Sequence, residues 1–240
     1  MLKKLVFLLL SFALLSMPAV QAEELFEKNE TRSARAGKEM TWWLYAPPEI
    51  TDTTMLVVFL HGGREMGDGA LDAVLPASIL NGTLTDAPAV IAVPQMPKGV
   101  GVWLKLDDAV IEMTDEIILR YGLEPVNTAL CGFSMGGIGT MDIANSHPGK
   151  FSRILVAAGR VNEQVRAVNF TGSEVRFFVG RSDRDISPDT VYGFIRKLEW
   201  AKVPVSLEYS DTDHLGTEKV VFTDRNILSW LFTPPEKNVE

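Results

Sequence analysis

The sequence predicts an α/β chain, a mainly parallel sheet with helices on both faces, and three observations predict it. Apolar runs such as Met55 to Leu60, Val90 to Val93, Ile154 to Ala158 and Val175 to Val179 are continuous rather than alternating, which suits strands buried on both faces. Segments with helical spacing separate them, and strands alternating with helices imply parallel pairing. Glycine-rich turns follow several of these runs, and open parallel sheets carry their ligand sites at those carboxyl ends.

Taken in order, the first 22 residues read as a targeting segment. Lys3 and Lys4 give a basic start, Leu5 to Leu15 is apolar except for Ser11, and Val20-Gln21-Ala22 offers a cleavage site. That run is too short to span a membrane. The expected mature chain is a single domain from Glu23 to Glu240, with no membrane anchor after cleavage. Residues 23 to 38 are polar and read as a loose arm or an edge strand. Met40 to Tyr45 is a strand ending at Pro47-Pro48, and Met55 to Leu60 and Val90 to Val93 are buried strands. Leu106, Val110, Met113 and Ile117 share one helix face, which Gly122 terminates. Val126 to Cys131 is a strand, and Met135 to His147 is a helix. Ser187-Pro188 reads as a helix start, with Val191, Phe194, Ile195 and Leu198 on one face. Val203 to Tyr209 alternates as a strand, and Val220 to Leu231 reads as one closing helix.

Composition removes whole classes. Apolar residues make up 46% and charged residues 22% of the 240, which excludes disorder. Cys131 is the only cysteine, which excludes a disulfide scaffold. The formal charge of −8 argues against a nucleic-acid partner. There is no P-loop, no H-E-x-x-H and no Cys/His cluster, so neither a metal nor a cofactor is expected.

The chemistry is expected at three strand ends. Gly132-Phe133-Ser134-Met135-Gly136 follows a strand and opens a helix, the context in which G-x-S-x-G holds a nucleophilic serine above a sheet. The Met135 N–H at the helix start suits a developing oxyanion. His61-Gly62-Gly63-Arg64 follows Leu60; Gly63 is the candidate second donor, with Arg64 its neighbour, and His61 is expected to orient the loop. A serine needs a base. Of the three histidines, His147 lies at the far end of the helix after Ser134, whereas His214 follows the strand ending at Tyr209, on the serine's side. In the order serine, acid, histidine, the acid belongs to the loop after Val179, where Asp183 and Asp185 both qualify. Asp183 is preferred, because Asp185 lies nearer the helix start at Ser187. Met96 and Trp103, between Val93 and Leu106, are candidate substrate-wall residues.

The stretch Cys131 to Thr140, continuing to His147-Pro148 and Phe151, resembles the α/β-hydrolase fold. More narrowly it is similar to exported phospholipase/carboxylesterase and dienelactone-hydrolase-like esterases, with feruloyl and acetyl-xylan esterase relatives. Tyr45-Ala46-Pro47-Pro48, His61-Gly62-Gly63, Val93-Pro94-Gln95 with Trp103, Gly180-x-x-Asp183 and His214 extend the resemblance over nearly the whole expected mature chain. Met141 departs from it, standing where relatives often carry Trp. The resemblance implies a secreted or periplasmic serine esterase acting through an acyl-enzyme with Ser134, His214 and Asp183, without a cofactor, on small-molecule or polysaccharide-linked esters. Peptidase or acyltransferase chemistry on the same triad remains open, as does a non-catalytic exported binding protein that kept the fold.

Overall fold

The computed structural model describes residues 25–34, 37 and 39–236; the expected targeting segment, 1–22, lies outside the described residues. One eight-stranded sheet organises the chain. Its strands are β1 (Glu27–Arg32), β2 (Glu39–Tyr45), β3 (Met55–Leu60), β4 (Ala89–Pro94), β5 (Thr128–Phe133), β6 (Arg153–Ala157), β7 (Glu174–Gly180) and β8 (Val205–Ser210). They lie in the order β1-β2-β4-β3-β5-β6-β7-β8. β1, β2 and β4 pair antiparallel, whereas every pairing from β4 through β3 to β8 is parallel. The polar stretch after residue 23 thus includes an edge strand. The continuous apolar runs are the central strands, with all six residues of β3, β4 and β5 buried.

Among the described residues, six helices cover the two faces: α1 (Val74–Leu80), α2 (Asp107–Tyr121), α3 (Met135–Ser146), α4 (Asp189–Trp200), α5 (His214–Thr223) and α6 (Arg225–Phe232). Because side chains alternate along a strand, Leu56, Val58 and Leu60 of β3 join Val110 and Met113 of α2, Met141 of α3 and Val191 of α4 in one core layer. Met55, Val57 and Phe59 join Leu75 of α1, Phe222 of α5 and Leu231 of α6 in the other. Gly122 ends α2 at φ 62°, the left-handed conformation glycine adopts without a Cβ penalty.

Two elements differ from the sequence reading. The single closing helix is two helices, because the Asp224 carboxylate accepts the Asn226 and Ile227 N–H groups and starts a new one. α1 went unread, since it is only seven residues, carries Pro76 and has no side-chain cap. Burial of Leu75 and Ile79 holds it instead.

Candidate active site

Four carboxyl ends meet on one side of the sheet. β5 runs into Ser134, whose φ of 53° and ψ of −115° are strained for a residue with a Cβ. The glycines around it are steric requirements. A Cβ on Gly132 would lie 2.5 Å from the Gly136 carbonyl carbon, and one on Gly136 would lie 1.8 Å from the Leu60 carbonyl oxygen. The turn therefore closes only against β3 with no side chain at either position. Its strain is held by packing and by the Ser134 N–H, which donates to the Ala157 carbonyl at 2.9 Å. Met135 is the first residue of α3, so its N–H has no intrahelical acceptor.

The candidate acid and base follow β7 and β8. The Asp183 side chain is fully buried, and its Oδ2 accepts the His214 Nδ1–H at 2.8 Å. Its Oδ1 accepts the N–H groups of Asp185 and Ile186 at 2.8 and 2.9 Å. With Nδ1–H committed to the carboxylate, His214 Nε2 is left to accept the Ser134 O–H at 2.8 Å. Asp185 is exposed; its carboxylate comes within 4.8 Å of the ligand atoms of Asp183 and His214 but makes neither hydrogen bond. Nor does it cap a helix, since Ser187 Oγ accepts the Asp189 N–H ahead of α4. His214 stands at the first position of α5 rather than in a loop, behind Asp213, whose side chain accepts the Gly216 N–H at 2.8 Å. Val221 and Phe222 are fully buried on the same helix, each contributing about 1.5–3 kcal/mol, so the core anchors the histidine's backbone. The Phe133 ring lies 4.8 Å from the imidazole, between centroids. His147 faces Asp107 at 3.8 Å, on another part of the molecule.

The loop after β3 is built around a buried histidine. Gly62 is extended, and Gly63 begins a short 3-10 turn, Gly63–Glu65. His61 Nδ1 lies 2.7 Å from the Gly62 carbonyl, while Nε2 accepts the Met96 N–H at 3.1 Å. That pairing makes His61 a neutral imidazole protonated at Nδ1, and burial lowers its pKa in the same sense. Gln95, which the sequence reading quoted in the resemblance but gave no role, completes the frame. Its Nε2 donates to the Glu65 carbonyl at 2.8 Å and its Oε1 accepts the Ala70 N–H at 2.7 Å.

Met96 and Trp103 are corrected here: they are not a substrate wall. Both side chains are buried in the core layer under α2 and α3, Met96 fully and Trp103 with 1% exposure. The Trp103 indole N–H donates to the His61 carbonyl at 3.2 Å, and its Cβ would lie 2.4 Å from a Cβ on Gly139. They support the turn from beneath. A cleft of about 840 Å³ lies along the loop after β7, lined by Arg181, Arg184, Asp185, Asp213, His214 and Leu215.

Comparison with known proteins agrees with this architecture. Residues 109–221 match the Esterase family, described as "Putative esterase". No curated protein matches the chain. Among solved structures, a thermostable esterase is similar with a TM-score of 0.72 and 20% identity over 87% of this chain. This chain spans only 62% of that protein's length. An S-formylglutathione hydrolase from Staphylococcus aureus gives a TM-score of 0.65 and 15% identity, covering 86% of this chain and 95% of that one. A ferulic acid esterase gives 0.63 and 13%, covering 86% and 98%. At these identities the likeness is one of fold. The strand order and the helices on both faces are those of the α/β-hydrolase fold, and residues 109–221 are similar to the Esterase family.

Proposed function

We propose that the protein cleaves carboxylic esters through an acyl-enzyme on Ser134. The observation that carries this reading is the continuous chain of hydrogen bonds from Asp183 through His214 to Ser134, 2.8 Å at each link. His214 Nε2 takes the hydroxyl proton as Ser134 attacks the ester carbonyl. Asp183, which accepts from both its own loop and the ring, holds the imidazole in that tautomer and stabilises its charged form. The Met135 and Gly63 N–H groups receive the oxyanion. His214 then returns the proton to the leaving alcohol, and water attacks the acyl-enzyme by the reverse path.

The charged lining of the cleft beside His214, with Arg181, Arg184, Asp185 and Asp213, favours short acyl groups on polar or bulky alcohols over long-chain glycerides. We further propose export, on the basis of Lys3, Lys4 and the apolar Leu5 to Leu15 run. Mass spectrometry of protein from its native host should find Glu23 as the N-terminus; an intact Met1 would refute export. The reaction itself is tested by hydrolysis of p-nitrophenyl acetate. Ser134→Ala should lower kcat by about 10⁴-fold or more while melting like the parent. A folded Ser134→Ala that keeps most of its activity removes this serine from the reaction.

A further inference from the structure

Tryptophan side chains are mostly covered in folded proteins, and four of the five here are. Trp42 and Trp103 are buried, Lys28 lies over the Trp43 ring, and Arg153 and Arg176 lie over Trp230. Trp200, the last residue of α4, is instead 87% exposed. It stands on the wall of a groove of about 550 Å³ between the end of α4 and the segment 163–168. Arg196 and Lys197 lie on that wall too, and Arg196 and Trp200 are four residues apart on one helix face. Across the groove, Val165, Ala167 and Val168 supply apolar surface and Arg166 a third cation. Among the described residues, the Arg166, Arg196 and Lys197 side chains are exposed and make no ion pair. Both walls are fixed in advance. Phe170, in the 3-10 turn Ala167–Phe170, packs edge-on against Phe194 of α4 with ring centroids 5.9 Å apart. Asn145 Oδ1 of α3 accepts the Arg166 N–H at 2.8 Å and the Asn169 side-chain amide at 3.0 Å.

We propose that this groove binds an acidic polysaccharide, taking a uronate ring against Trp200 and its carboxylate on the surrounding cations. The C–H face of a pyranose packs on an open indole, and a ring carboxylate accepts charge-assisted hydrogen bonds from guanidinium and ammonium groups. The charge is complementary: the lining carries three cations against one carboxylate, Glu163, although the chain as a whole is −8. The groove therefore attracts anions where the rest of the molecule repels them. Its concave shape admits a sugar chain and not the flat surface of a bilayer. Because the walls are packed before a ligand arrives, little ordering cost opposes binding. The groove is also separate from the catalytic centre. Residues 163–168 precede β7 and Trp200 precedes β8, so it lies at the amino ends of those strands, whereas Ser134 stands at the carboxyl end of β5. A ligand held there leaves the reacting groups free and keeps the protein on a polymer that carries esters. That last role rests on the esterase reading above; the binding itself does not.

Titration calorimetry of the full chain with an oligogalacturonate tests the site, with a neutral xylo-oligosaccharide of equal length and vesicles of anionic phospholipid as comparisons. The parent should bind the acidic oligomer about tenfold or more tightly than the neutral one, and should not bind the vesicles. Trp200→Ala should weaken binding by about tenfold or more, the loss of a stacking face. The double variant Arg196→Gln, Lys197→Gln should weaken it to a similar degree and flatten its dependence on salt. All three positions are exposed, so the variants should melt like the parent. Each should also hydrolyse p-nitrophenyl acetate at the parent's rate, since a small ester needs no tether. Absence of binding, equal affinity for the neutral oligomer, or undiminished binding by Trp200→Ala overturns the inference. Binding to the vesicles and not to the oligogalacturonate overturns it as well, in favour of a lipid surface. A parent that binds the acidic oligomer through Trp200 but is inert towards esters would support the groove and count against the esterase reading alone.

Discussion

At the scale of single residues, the candidate acid is the carboxylate that faces the imidazole. Asp183 and Asp185 were both admissible in the sequence because both follow β7, two residues apart. The fold separates them: Asp183 turns its side chain inward, fully buried, to the His214 ring, while Asp185 stays exposed. Asp183→Asn should therefore reduce kcat by about 10⁴-fold at neutral pH in a folded protein, because an amide favours the wrong imidazole tautomer. Asp185→Asn should cost less than about tenfold, through the local field alone. Steady-state kinetics with melts on both variants check this, and the reverse ranking would reassign the acid. Met96 and Trp103 show where residue-level reading stopped. Large apolar side chains between two strands fit a pocket wall and a core equally well, and only burial tells them apart.

At the scale of elements, the legible parts are those whose signal is local. The elbow was readable because its geometry forces glycine at fixed offsets from the serine. Gly136 is the clearest instance, and Gly136→Ala should destabilise by about 3 kcal/mol or more, since the Leu60 carbonyl belongs to a buried central strand that moves only with the whole sheet. That corresponds to a melting temperature lower by roughly 10 °C for a domain of this size. Gly63→Ala serves as the comparison, because a Cβ there meets open space and should leave the melting temperature within about 2 °C. Calorimetry distinguishes the two, and equal effects would mean that the elbow is not closed by backbone contact. The helix starts at Asp213 and Asp224 were missed for a complementary reason. An aspartate that caps a helix and one that sits in a solvated turn look alike in sequence, and tertiary contacts at Val221, Phe222 and Leu228 decide which it becomes.

At the scale of the whole molecule, the sheet is what turns scattered residues into a site. Parallel pairing from β4 to β8 sends the carboxyl ends of β3, β5, β7 and β8 to one side, so Gly63, Ser134, Asp183 and His214 converge although they span 152 positions of the chain. The continuous apolar runs made that sheet foreseeable, and the two core layers hold it rigid enough to keep a strained serine in place. The central claim, that this convergence makes Ser134 a nucleophile driven by His214, is tested most directly by covalent trapping. Intact protein treated with a fluorophosphonate is digested and the modified peptide is sequenced by mass spectrometry, alongside Ser134→Ala and His214→Gln. The account predicts one phosphonyl adduct on the peptide bearing Ser134, none in Ser134→Ala, and labelling slowed by about 10³-fold or more in His214→Gln. An adduct on another residue, or labelling of Ser134 at an undiminished rate without His214, would contradict it.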